Sequence, residues 1–105
     1  MALKISPRSK LDMTLGEEYA FRLNLNETLK GNTVASYTFK IYDSSGVEAP
    51  TLSGDSSISA GYITFGIKAV ATGKYTIIFI ITCNELLPDG VTPYEPYVAM
   101  TVTIT

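Results

Sequence analysis

One thiol, ten carboxylates and no imidazole are all that this 105-residue chain offers for acid–base, nucleophilic or metal chemistry. Histidine is the commonest general base and nitrogen ligand. Without it neither a Ser-His-Asp nor a Cys-His site can be assembled within one chain. The single thiol, Cys83, closes an apolar run. Its two readings are a small buried residue, the usual state of a free cysteine, and a reactive thiol, for which the sequence holds no histidine as activator. One cysteine cannot build a zinc site or an internal disulfide, which fits a reducing compartment or a scaffold independent of disulfides.

The carboxylates are Asp12, Glu17, Glu18, Glu27, Asp43, Glu48, Asp55, Glu85, Asp89 and Glu95. Most fall where turns are expected, and no aromatic-flanked pair suited to glycoside hydrolysis stands out. The calcium-loop pattern D-x-D-x-D-G is absent; Asp43 near Gly46 and Asp89 beside Gly90 read first as turn residues. No phosphate-cradling glycine loop occurs, and Gly54, Gly61 and Gly66 read as turn and strand-edge glycines. The expectation is a non-enzymatic chain without cofactor or metal.

Charge narrows the partners. Eight Lys and Arg against ten Asp and Glu give a net charge of −2 with no basic stripe. Nucleic acid is disfavoured, because phosphate contacts need clustered cations, and a membrane surface would need a basic amphipathic helix. The strongest apolar run, Ile77 to Ile81, is far too short to span a bilayer as a helix. Met1 to Pro7 has no apolar core of signal-peptide length, so synthesis and retention in the cytoplasm are expected. Partners are therefore expected to be proteins.

The elements that must position these residues alternate with period two, and helix signals are nearly absent. Seven strand-like segments are expected within one domain, 1–105. Leu3 to Leu15 is interrupted by Pro7, so it is an edge strand or two short pieces. Glu18 to Leu25 turns Tyr19, Phe21, Leu23 and Leu25 one way. Val34 to Tyr42 turns Ala35, Tyr37, Phe39 and Ile41 inward and is closed by Asp43-Ser44-Ser45-Gly46. A weak strand lies within Ala49 to Ile58. Tyr62 to Lys68 follows with Ile63, Phe65 and Ile67 inward, then Lys74 to Cys83, and last Tyr94 to Ile104 with Val98, Met100, Val102 and Ile104 inward. Seven short strands in about 100 residues point to a β-sandwich, with an open barrel as the alternative.

Gly73-Lys74-Tyr75 at the start of the sixth segment resembles the tyrosine corner of immunoglobulin-like domains, in which a Tyr hydroxyl bonds back to the backbone just upstream. The core cysteine expected two residues later is replaced by Ile77. An all-β immunoglobulin-like sandwich of about seven antiparallel strands is the resulting expectation.

The sixth segment also breaks the alternation. Tyr75, Ile77, Phe79 and Ile81 face inward, but Ile78 and Ile80 make the outward face apolar too. A strand with two apolar faces is normally covered on both. Strand neighbours would place Ser36, Thr38, Tyr97, Ala99 and Thr101 around the two isoleucines. One reading is residues chosen for β-propensity and shielded by neighbours; the other is a subunit or partner interface. The loop Asn84 to Pro93 raises the same question through Leu86 and Leu87, which either tuck over the core or make contact. The candidate interface is Ile78, Ile80, Tyr97, Ala99, Leu86 and Leu87. Seven Tyr without Trp leave a sugar-binding module as a weaker alternative, carried by Tyr62, Tyr94 and Tyr97.

The run Leu29-Lys30-Gly31-Asn32-Thr33-Val34-Ala35-Ser36-Tyr37-Thr38-Phe39 resembles the strand-C entry of small immunoglobulin-like structural proteins of tailed phages, the fiber-tail adaptor or neck-type proteins. Gly73-Lys74-Tyr75-Thr76-Ile77, Tyr97 to Ile104, Ile5-Ser6-Pro7-Arg8 and Gly16-Glu17-Glu18-Tyr19 are similar to them in order and spacing. The hairpin Asn84 to Pro93 is longer than that pattern. The resemblance implies a non-enzymatic virion or prophage component, made in the bacterial cytoplasm and docking onto other virion subunits or itself. The alternative is a general immunoglobulin-like adhesion or ligand-binding module.

Overall fold

Alternation of apolar and polar residues fixes which face of each strand is buried, because successive side chains point to opposite sides. The computed structural model describes residues 3–7 and 9–105. Met1, Ala2 and Arg8 lie outside the described residues, and with them part of the N-terminal reading and the last residue of the Ile5-Ser6-Pro7-Arg8 motif.

Eight strands form among the described residues: β1 (Leu3–Ile5), β2 (Lys10–Met13), β3 (Glu18–Asn24), β4 (Val34–Tyr42), β5 (Ser53–Ser59), β6 (Tyr62–Lys68), β7 (Gly73–Cys83) and β8 (Tyr97–Ile104). They make two four-stranded sheets, ordered β1-β3-β6-β5 and β2-β8-β7-β4. The N-terminal segment is two short pieces, as Pro7 suggests. Each piece takes an edge of a different sheet, and each runs parallel to its neighbour: β1 to β3 and β2 to β8. Between them the Ser9 N–H donates to the Ser6 carbonyl at 3.0 Å. The remaining pairings are antiparallel.

The sheets share a core of Phe21, Leu23, Ile41, Ile63, Phe65, Ile67, Ile77, Phe79, Ile81, Val102 and other apolar side chains. Its centre is aromatic. Phe65 lies 4.9 Å from Phe79, 5.3 Å from Phe39 and 5.6 Å from Phe21, centroid to centroid, so one ring joins both sheets.

Two inward assignments fail, each for a local reason. Ala35 is exposed, because the β4–β7 ladder steps from Val34↔Cys83 to Ser36↔Thr82. Ala35 is thus the extra residue of a β-bulge, and Val34 packs on the core instead. Tyr19 is 40% exposed. It opens β3 at the rim of the core, where its hydroxyl donates to Glu17 and its ring meets Phe21 edge-on.

One helical turn goes unsignalled: α1 (Asn26–Leu29), four residues without a side-chain cap. It is too short to show a 3.6-residue period, and Leu29, buried at 5% exposure, holds it down. A 3₁₀ turn (Pro50–Leu52) precedes β5.

The tyrosine corner is present. The buried Tyr75 hydroxyl donates to the Thr72 carbonyl at 3.1 Å and lies 3.3 Å from that of Ala71. A neutral hydrogen bond of this kind contributes about 0.5–1.5 kcal/mol. Tyr75→Phe is expected to lower unfolding free energy by that amount in urea titrations, with the slope unchanged.

Candidate docking surface on the β7–β8 ribbon

The registers place the outward side chains in rows across the second sheet. Thr38, Ile80 and Tyr97 form one row, and Lys40, Ile78 and Ala99 the next. Thr38, Tyr97 and Ala99 are neighbours that strand order predicts; Lys40 beside Ile78 is not, and Ser36 and Thr101 lie opposite Thr82 and Thr76 instead. The inner face beneath is filled by Tyr75, Ile77, Phe79 and Ile81, so the core of the sandwich does not use the two outward isoleucines. Ile80 is 42% exposed and Tyr97 70%, while Ile78 is half-buried between its neighbours. Lys40 at the β4 edge pairs with Glu48 at 3.8 Å, a charge that discourages uncontrolled strand addition there.

Past Cys83 the ribbon continues as a hairpin. The Tyr94 carbonyl accepts the Cys83 N–H, and the Tyr94 N–H donates to the Glu85 carbonyl, so Asn84 bulges. The Leu87 N–H reaches the Thr92 carbonyl at 2.7 Å, and Gly90 bonds back to Leu87. The tip is the expected Leu87-Pro88-Asp89-Gly90 turn, and Asp89 caps it by accepting the N–H groups of Val91 and Thr92.

The hairpin is also braced against the loop that carries α1. Glu85 accepts the Thr33 N–H and hydroxyl, both at 2.8 Å, and the Tyr94 hydroxyl donates to the Thr28 carbonyl at 2.9 Å. Leu86 and Leu87 do not tuck over the core; with Val91 they stand exposed on this stiff tip. Val91 went unremarked in the sequence because a lone valine in a Gly-Val-Thr-Pro stretch carries no periodic signal.

Of the sugar-stacking candidates only Tyr97 is open. Tyr94 is held by Thr28, and Arg22 lies 4.0 Å above the Tyr62 ring. Cys83 is buried, and burial, then the nearby Glu85 charge, pushes its thiol pKa up, which disfavours the reactive thiolate. Among the described residues no three metal-ligating side chains come together.

The hydrogen bonds from Thr33, backbone first, hold the Glu85 carboxyl below its ordinary value of 4.5. A lowered folded value stabilises the brace above the ordinary carboxylate range, and this contribution is lost as pH falls through the lowered value. The Thr33 amide resonance is expected to titrate with a midpoint below 4.5, and Glu85→Gln is expected to abolish that titration. A midpoint at or above the ordinary value contradicts the brace.

No family model matches the chain, and no curated protein matches it. Among solved structures it is similar to the cysteine protease inhibitor EhICP2 of Entamoeba histolytica, at 13% identity and TM-score 0.53, covering 99% of this chain and 95% of that one. It is also similar to titin domain M4, at 19% identity and TM-score 0.50, covering 99% and 92%. The fold is an immunoglobulin-like β-sandwich. The four strands β1-β3-β6-β5 face the three strands β4-β7-β8, as the two sheets of such domains do, with β2 added beside β8. An inhibitor and a titin domain are both non-catalytic uses of such a fold.

Proposed function

We propose that the chain is a non-enzymatic structural subunit of a phage or prophage particle, in the head–tail, neck or tail-fiber region. It docks onto other virion proteins or onto copies of itself. The observation that supports this reading is the solvent-facing apolar patch of Ile78, Ile80, Tyr97 and Ala99 over a sheet whose inner face is already filled. Contiguous exposed apolar surface marks sites of protein contact. Synthesis in the bacterial cytoplasm and incorporation into the virion follow from this role.

The second reading, a general immunoglobulin-like adhesion or ligand-binding module, draws on the braced hairpin with Leu86, Leu87 and Val91 at its tip. A stiff contact element loses little entropy on docking. Two observations separate the readings. Neighbouring capsid, portal or tail genes favour the first. Mass spectrometry of purified particles is expected to find the chain in fixed copy number; intact, infectious particles from a deletion strain would overturn the structural role.

A further inference from the structure

The parallel N-terminal strand creates a feature on the opposite sheet that docking through β7–β8 does not use. Because β1 runs parallel to β3, Lys4 lies directly opposite Arg22. Neighbouring strands are about 4.8 Å apart, and like charges facing each other there are destabilising. Among the described residues the one ion pair is Lys40–Glu48, so neither cation has a carboxylate partner. This occurs in a chain with more acidic than basic residues.

The two cations border a cleft of about 410 Å³ lined by Lys4, Ile5, Ser6, Ser9, Arg22, Asn24 and Tyr62, with no carboxylate among its described residues. Its polar groups are arranged to donate. The Arg22 guanidinium is held 4.0 Å above the Tyr62 ring, a cation–π contact that limits its freedom. Asn24 Oδ1 accepts the Asn26 N–H at 2.9 Å, which leaves its amide N–H groups as donors. Ser9 Oγ accepts the Ser6 N–H at 3.0 Å and lies 3.4 Å from Ser6 Oγ, so one of the two hydroxyl hydrogens remains to donate outward. A guanidinium fork, an ammonium, an amide and a hydroxyl that line one cleft, with no carboxylate among the described lining residues, match anionic oxygens. The volume falls at the lower end of ligand pockets, which span roughly 300–1,000 Å³. That leaves ample room for an oxyanion group together with the stem that carries it.

We propose that this cleft binds an oxyanion, a carboxylate or phosphate group, between Lys4 and Arg22. Bound anion relieves the cross-strand repulsion and fastens β1 to β3. The same chemistry can come from free phosphate or from an acidic protein segment. The site stands whether or not the β7–β8 face is an interface, since the two lie on different sheets.

The test is a titration of the ¹⁵N-labelled full chain at low ionic strength, once with inorganic phosphate and once with a tetraglutamate peptide. Saturable shifts are expected at the amides of Lys4, Ser6, Ser9, Arg22 and Asn24, weakening as salt is added. Arg22→Gln and Lys4→Gln are each expected to weaken binding about tenfold, the loss of one charged hydrogen bond. Lys40→Gln, on the other sheet, is expected to leave it unchanged. Saturation by phosphate identifies a small anion as a source, and saturation by the peptide alone identifies a protein segment. Saturation by neither overturns the proposal. So do shifts spread evenly over Lys10, Lys40 and Lys74, or folded Arg22 and Lys4 variants that titrate like the parent.

Discussion

Replacing Phe65 with alanine is expected to cost about 3–5 kcal/mol of stability, the range for a buried phenylalanine whose cavity does not collapse. Phe65 has no solvent exposure, and its ring touches three others from β3, β4 and β7. Collapse is resisted on every side, because each neighbouring ring is fixed in its own strand. The lost edge-to-face and stacked contacts add to the transfer term. Domains of this size are stable by only about 5–15 kcal/mol, so the change removes a large share. Urea titration is expected to show a much lower midpoint with the same slope. A loss below about 1 kcal/mol would mean that the sheets are not joined through this ring.

The second large effect concerns association. Changing Ile78 and Ile80 together to Thr keeps β-branching and strand propensity, and neither side chain contributes to the aromatic core. Folding is therefore expected to survive. Each change removes roughly two carbons from a contact, about 1.5 kcal/mol at ~0.8 kcal/mol per buried CH₂. The pair together weakens an interface by about a hundredfold in Kd. Tyr97, the most exposed member of the patch at 70%, is the residue best placed to anchor a partner, since interface hot spots favour Tyr.

Most of the sandwich was legible because its strands alternate cleanly. Tyr62–Lys68 and Val34–Tyr42 form at their expected bounds, and the Tyr75 corner identifies the topology. The misses are positions where one local contact outweighs the pattern. Ala35 follows the alternation, but a bulge turns it outward. Leu3 to Leu15 reads as an edge strand or two short pieces, but a piece as short as Leu3–Ile5 carries no signal of direction. Its parallel pairing with β3 is visible only in three dimensions. That same pairing brings Lys4 to Arg22, eighteen positions apart in the sequence, which is why the cleft could not be read from spacing. The candidate surface was half legible. Ile78 and Ile80 break the pattern openly, whereas the bracing of Leu86 and Leu87 depends on Thr33 and Thr28, far away in the chain.

The most direct measurement is molar mass by light scattering over a concentration series, for the parent chain and for Ile78→Thr/Ile80→Thr. If the outer face of β7–β8 holds copies together, the parent rises above 11.4 kDa as concentration increases. The double variant then stays at the monomer mass over the same range, with an unchanged unfolding midpoint. Superimposable series from the two proteins would contradict the assignment of this face as the docking surface between copies.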